Sequence, residues 1–168
     1  GSRGLGDVYK RQALTNQSMY TYELSPIATL IEKAIVERMM EIVGYAEGFG
    51  TLTTGGSNGN MMGMLCARQA SHPMSSITGF DGSKYVAFVS AEAHYSVLMS
   101  ANVVGIGYQN LVKVACDSRG RMKPESLVEE IVRARTNGQT PFCIIATSGT
   151  TVRGACLLYT SPSPRDPT

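Results

Sequence analysis

Apolar residues recur at helical spacing near the start of the chain. Ile27, Leu30, Ile31, Ala34, Ile35, Met39 and Ile42 fall on one stripe, while Glu32, Glu37 and Glu41 fall mostly off it. That period predicts an amphipathic helix whose stripe is a packing surface. Ser25 and Pro26 supply an N-cap and first-turn pair, and Gly44 a terminator. "TLTT" (Thr51 to Thr54) is a short β-prone run. "GGSNGN" breaks it, and the helix formers of "NMMGMLCARQA" predict a second helix up to His72-Pro73. Met74 to Ser83 is polar and glycine-containing, and reads as an exposed loop. "YVAFVSA" (Tyr85 to Ala91) is apolar on both faces, as a strand covered from both sides must be. Ser90 is placed to cap a helix through "EAHYSVLMSANVVG", ending near Gly105. "LVKVAC" predicts a strand and "DSRGRM" a turn. Lys123-Pro124-Glu125 opens a helix with Leu127, Val128, Ile131 and Val132 on one face, ending near Gly138. "PFCIIATSG" is a further strand. Helices alternating with strands imply an α/β fold with a mostly parallel sheet and right-handed crossovers. A parallel sheet needs cover on both faces, so a chain stopping after a strand is expected to be part of a larger domain.

Both ends change the reading of length and charge. One back-translation of Ser2 to Gln12, reverse-complemented and read one base in, encodes "CLLYTSPSPR" and the first two bases of an Asp codon, which is the run from Cys156 to Asp166. The nucleotide string resembles a transposase adapter of sequencing libraries. Residues 1–12 and 156–168 are therefore expected to be translated adapter rather than native sequence, leaving 13–155 as the native segment. Removing Arg3, Lys10, Arg11, Arg165, Asp7 and Asp166 from the 15 basic and 13 acidic residues leaves 11 of each. The net charge of +2 thus belongs to the ends. A neutral remainder with no basic stripe argues against nucleic acid as a partner. No apolar run is long enough to span a bilayer. Cys66, Cys116 and Cys143 lie inside apolar runs at no metal-like spacing. They are expected to be small buried hydrophobes in a reducing, cytoplasmic setting.

Three stretches can carry chemistry. In "TTGGSNGN", a chain turning sharply into a helix presents unsatisfied N–H groups and the positive end of the helix dipole, a setting for phosphate. Gly55 and Gly56 remove bulk, and Ser57 adds a hydroxyl. The pattern matches neither common nucleotide signature, so by itself it reads equally as a plain turn. In "SAEAHYSV", His94 follows a buried strand, and strand C-termini line the ligand crevice of an open parallel sheet. A satisfied core or capping histidine is the competing reading. His72, before a proline, reads as solvated. "ATSGTT" (Ala146 to Thr151) offers hydroxyls and a flexible glycine after another strand, or merely a polar turn. Together the three could converge on one phosphorylated ligand with an aromatic ring.

"TYELSP", "TTGGSNGNMMGMLCAR", "SAEAHYSV" and "PFCIIATSGTTVRGA" resemble, in this order and spacing, the pyridoxal-phosphate-dependent group II amino-acid decarboxylases. The resemblance spans nearly all of 13–155. It implies a partial large domain of the fold-type I, aspartate-aminotransferase-like architecture, with pyridoxal 5′-phosphate as cofactor. It places Gly56 and Ser57 at the cofactor phosphate, His94 against the pyridine ring and the substrate, and Thr151 along the cofactor site. It implies a small amino-acid substrate and a homodimer with the active site at the subunit interface. "TYELSP" and "GGSNGN" look closer to the acidic branch (aspartate, glutamate, cysteine sulfinate) than to aromatic amino-acid or diaminobutyrate decarboxylases. The family's cofactor-bearing lysine and its pyridine-nitrogen aspartate follow far downstream of these motifs. Lys84, Lys113 and Lys123 do not stand in the lysine's motif, so this chain alone is expected to be inactive. An aminotransferase-like or cysteine-desulfurase-like relative, or a non-catalytic relative with an emptied cofactor site, would share part of the pattern.

Overall fold

The computed structural model describes residues 3–16, 18, 20–80 and 84–155. The chain divides between Leu52 and Thr53 into two units. The first holds α1 (Arg3–Thr15) and α2 (Pro26–Val43). α1 crosses the boundary expected at residue 12, and its Val8, Tyr9 and Leu14 stay exposed. α2 starts and stops where its punctuation predicts. Ser25 is the buried N-cap residue and Pro26 occupies the first turn. Gly44 closes the helix at φ 96°, a left-handed conformation that glycine adopts without a Cβ penalty. The Gly44 amide donates to Met40 and Glu41 carbonyls.

The chain after α2 folds back along it. A Cβ on Gly50 would stand 2.8 Å from Val36 Cγ1, so only glycine fits there without movement. Glu32 accepts the Leu52 backbone N–H at 2.9 Å and the Thr51 hydroxyl at 3.2 Å. This corrects the strand expected at Thr51 to Thr54. The segment has β propensity but no neighbouring strand among the described residues, and a side-chain carboxylate takes the Leu52 amide that a ladder would have used. The α2 stripe is also not buried here: Ile27, Leu30, Ile31, Ile35, Met39 and Ile42 are 43–66% exposed.

The second unit is a parallel sheet between helices. It contains α3 (Gly56–Ser71), the helical turn α4 (Ser75–Thr78), β1 (Tyr85–Ser90), α5 (Ser96–Val103), β2 (Leu111–Val114), α6 (Pro124–Thr136) and β3 (Thr140–Ile145). Strand order is β2-β1-β3, and both pairings are parallel. The central β1 is buried along Val86 to Ser90, as its two apolar faces predict. Alternation splits the core. Ala87 and Val89 pack with Met64 of α3 and with Val97 and Ala101 of α5. Val86 and Phe88 face the other way, against Val114, Met122 and Ala134. Fully burying a side chain such as Phe88 contributes roughly 1.5–3 kcal/mol.

Further expectations need correction. α5 begins at Ser96, not after Ser90. The Ser90 hydroxyl accepts the Glu92 amide two residues on, closing a local turn instead of opening a helix. The stretch expected as loop from Met74 to Ser83 contains α4, whose Ser75 is buried and donates to Gln69 Oε1 at 2.9 Å. The end of that stretch, residues 81–83, lies outside the described residues. On α6 the inward face is Leu127, Ile131 and Ala134, while Val128 and Val132 are exposed. Cys66 is exposed and Cys116 half-buried, and Cys143, though it packs against the Ala87 and Val89 face of the core, is also only half-buried because β3 is an edge strand. Burial pushes the Cys143 thiol pKa up. His72 is also more than solvated: it lies against Phe80 and Tyr85, with Nδ1 3.2 Å from the Tyr85 hydroxyl.

Among the described residues no helix is long and apolar enough to cross a membrane. None of them forms a cluster of three or more His, Cys, Asp or Glu that could hold a metal.

Candidate active site at the C-terminal edge of the sheet

Because the three strands run parallel, the chains leaving β1, β2 and β3 emerge at one edge. Their loops touch there. Glu92, after β1, pairs with Arg153, after β3, at 3.7 Å. Gly120, after β2, sits with φ 79° where an added Cβ would lie 3.3 Å from Ala155 and 3.7 Å from Glu92. The β2 turn is set by Asp117, which accepts the Arg121 and Arg119 amides and the Arg121 guanidinium at 2.8–2.9 Å. The Arg121 amide, then its side chain and the Arg119 amide, hold this carboxyl below the usual carboxylate range. The turn after β3 closes on itself. Buried Thr150 accepts the Ala155 amide on its hydroxyl, and its own N–H donates to Ala155 O. This leaves the neighbouring Thr151 exposed.

His94 stands in the loop between β1 and α5, half-buried, with Tyr95 against its ring at 4.3 Å between centroids. Its Nδ1 accepts the Ser96 backbone N–H at 3.2 Å, which is an amide at the start of α5. The imidazole therefore supplies the cap expected from Ser90, and the capping reading of His94 holds for this one nitrogen. Nε2 has no hydrogen-bond partner among the described residues. The Ser96 hydroxyl lies 2.8 Å from the same Nδ1 and accepts from Asn60 Nδ2 at 2.8 Å. That bond brings the second turn of α3 to the His94 loop.

At the start of α3, Gly55 takes φ 157°, and Gly56 and Ser57, both exposed, open the helix. The first turn carries no acidic side chain. Thr53 and Asn58 are occupied locally, by the Gly55 carbonyl and the Thr54 hydroxyl. Gly56, Ser57, His94 and Thr151 thus lie on three segments that the structure connects through Asn60, Ser96, Glu92 and Arg153. No hydrogen bond joins Ser57, His94 and Thr151 directly among the described residues. Asn60 and Ser96 escaped the sequence reading. A serine two residues after a histidine is visible, but an asparagine 36 positions earlier carries no local signal.

The conserved domain of the pyridoxal-dependent decarboxylases matches residues 5–157. The chain belongs to the pyridoxal-dependent decarboxylase family. It is 45% identical over 141 residues to the human acidic amino acid decarboxylase GADL1, covering 83% of this chain and 27% of that protein. It is 40% identical over 141 residues to mouse cysteine sulfinic acid decarboxylase, covering 83% of this chain and 29% of that one. The crystal structure of mouse CSAD superposes with a TM-score of 0.85 at 37% identity, over 89% of this chain and 32% of the other. The chain therefore spans between a quarter and a third of the length of these relatives. Its α/β architecture with a parallel sheet is the one the alternation predicted, and it is that of part of a fold-type I domain, as the resemblance implied.

The residues present fit the family's cofactor. A phosphate needs N–H donors, a hydroxyl and no competing negative charge, and the first turn of α3 offers all three. A planar heteroaromatic ring suits an imidazole fixed at one nitrogen. The recess of about 170 Å³ beside His94 and Lys113 falls short of the roughly 300–1,000 Å³ of an enclosing cofactor pocket. These residues form a wall, not an enclosure. A larger cavity, about 300 Å³, lies between α2 and the Gly48–Thr51 segment and is lined by none of the candidate residues.

Proposed function

We propose that the protein to which this chain belongs is a pyridoxal-phosphate-dependent α-decarboxylase of an acidic amino acid, cytoplasmic and homodimeric. In this reading residues 13–155 supply the phosphate-binding and ring-facing wall of its site, and residues 1–12 and 156–168 derive from adapter. One observation carries the proposal: His94, pinned through Nδ1, stands at the same sheet edge as the open, non-acidic N-terminus of α3. Bound there, the cofactor would act as the sink for the electron pair left when carbon dioxide departs. The backbone N–H groups of Gly56 and Ser57 and the Ser57 hydroxyl would hold the phosphate. His94 would fix the ring plane and the substrate's orientation, and Thr151 would line the site. The names of the relatives, acidic amino acid decarboxylase and cysteine sulfinic acid decarboxylase, support the acidic branch. The exposed α2 stripe supports a second subunit.

The test is carbon dioxide release by the full-length protein with pyridoxal phosphate across a panel of amino acids. Aspartate, glutamate or cysteine sulfinate is expected to be preferred. His94→Gln is expected to lower kcat/KM on the order of a hundredfold through lost orientation. Preference for an aromatic amino acid or diaminobutyrate would move the protein to the other branch. No release from any amino acid would favour a non-catalytic relative. The present chain alone is expected to give no borohydride-reducible cofactor–lysine adduct, since none of Lys84, Lys113 and Lys123 stands in the lysine motif.

A further inference from the structure

We propose that Ser96, backed by Asn60, is a positioning residue that fixes His94 as the Nε2–H tautomer, making its exposed edge a hydrogen-bond donor to an oxygen anion. This rests on the reading of His94 as a wall of the cofactor site. The direction of the relay follows from what each group can do. A backbone N–H only donates, and the Ser96 N–H lies 3.2 Å from His94 Nδ1. Nδ1 is therefore an acceptor and carries no proton. The Ser96 hydroxyl, 2.8 Å from the same nitrogen, has one proton and can place it only there as a donor. Its lone pair is engaged from the other side by Asn60 Nδ2 at 2.8 Å. Polarity thus runs from the Asn60 amide to the Ser96 hydroxyl to His94 Nδ1.

Burial makes the relay stiff. Ser96 is 2% exposed, and its carbonyl accepts the Ser100 hydroxyl at 2.7 Å within α5. The side chain therefore hangs from a helix start that His94 itself caps, so ring and helix hold each other. The neutral imidazole keeps its single proton on Nε2, the nitrogen without a partner among the described residues. In that state Nε2 can donate to a carboxylate or a ring oxygen of a ligand, and it cannot serve as a base.

The experiment is long-range proton–nitrogen correlation NMR on the full-length protein with ¹⁵N-labelled histidine, both without and with pyridoxal phosphate. The His94 signals are assigned by their loss in His94→Gln. The expected spectrum of neutral His94 is the Nε2–H pattern in both forms. Ser96→Ala keeps the longer backbone N–H contact at Nδ1 but loses the closer hydroxyl, and is expected to admit a measurable share of the Nδ1–H tautomer and to lower kcat on the order of tenfold, the scale for losing an orienting partner. Ser96→Thr, which keeps the hydroxyl, is expected to restore the pattern. An Nδ1–H pattern in the unmodified protein overturns the proposal outright, and an unchanged pattern in Ser96→Ala overturns the role of the Ser96 hydroxyl and leaves the tautomer to the backbone N–H alone. Should Ser96→Ala not fold, Asn60→Ala takes its place, since Asn60 is exposed. A pattern unchanged in that variant overturns the relay. Full activity in His94→Gln would instead refute the cofactor-site reading, while the spectrum still judges the tautomer.

Discussion

α2 and β1 are both written in apolar residues, and the chain treats them in opposite ways. β1 lies between β2 and β3 with helices on both faces, and Val86, Ala87 and Phe88 have no accessible surface. α2 also carries an apolar stripe, yet every large residue of that stripe is more than two-fifths exposed. The contrast teaches that a hydrophobic pattern states which surface needs cover, not where the cover comes from. A central strand recruits its neighbours from the chain that follows it. A helix stripe can be left for another chain or segment to complete.

The largest test of that contrast is Phe88→Ala against Ile31→Glu in the full-length protein. Phe88→Ala is expected to cost about 3–5 kcal/mol, because the cavity forms between rigid neighbours. A urea midpoint unchanged from the parent would mean β1 is not the centre of the core. Ile31→Glu is expected to leave the fold standing but to split a dimer, measured by sedimentation velocity, with a loss of about 2 kcal/mol or more if the stripe centres an interface. Unaltered mass and stability would make the stripe plain surface.

A smaller effect sharpens the comparison inside the first unit. Gly50→Ala puts a methyl 2.8 Å from Val36 Cγ1 and is expected to cost about 1–3 kcal/mol through forced movement. No change in melting temperature would show that the segment over α2 is held only loosely. The smallest effect lies at the sheet edge. The Asp117 pKa is depressed in the folded chain, so its contribution is present above the unfolded carboxyl pKa and is lost as pH falls through the folded value. Asp117→Asn should therefore destabilise at neutral pH and converge with the parent in acid. A constant difference across the acid limb would show that the turn is held by shape, not charge.

Much of this was legible along the chain. The α2 caps, the buried strand and the alternation of elements are local patterns. Backbone sterics, capping and side-chain period act within a few residues, and so they can be read there. The failures share one cause. Thr51 to Thr54 has strand propensity but no strand beside it among the described residues, and Glu32 takes its amide. Ser90 has the chemistry of a cap, but His94 lies closer to the helix start and takes the role. Cys66 lies in an apolar run but points away from the core.

The sequence by itself determined the α/β class and the family, and its resemblance to that family is what put forward Gly56, Ser57, His94 and Thr151 as the residues proposed to meet a cofactor. Class and family depend on residue type and short-range order, which the chain states directly. Only the tertiary structure decided that Asn60 reaches Ser96 across 36 positions, that Ser96 points at His94 and that Nδ1 is the nitrogen consumed. A hydrogen bond depends on distances of a few tenths of an ångström between groups far apart in sequence, and only the packing of α3 against α5 sets those.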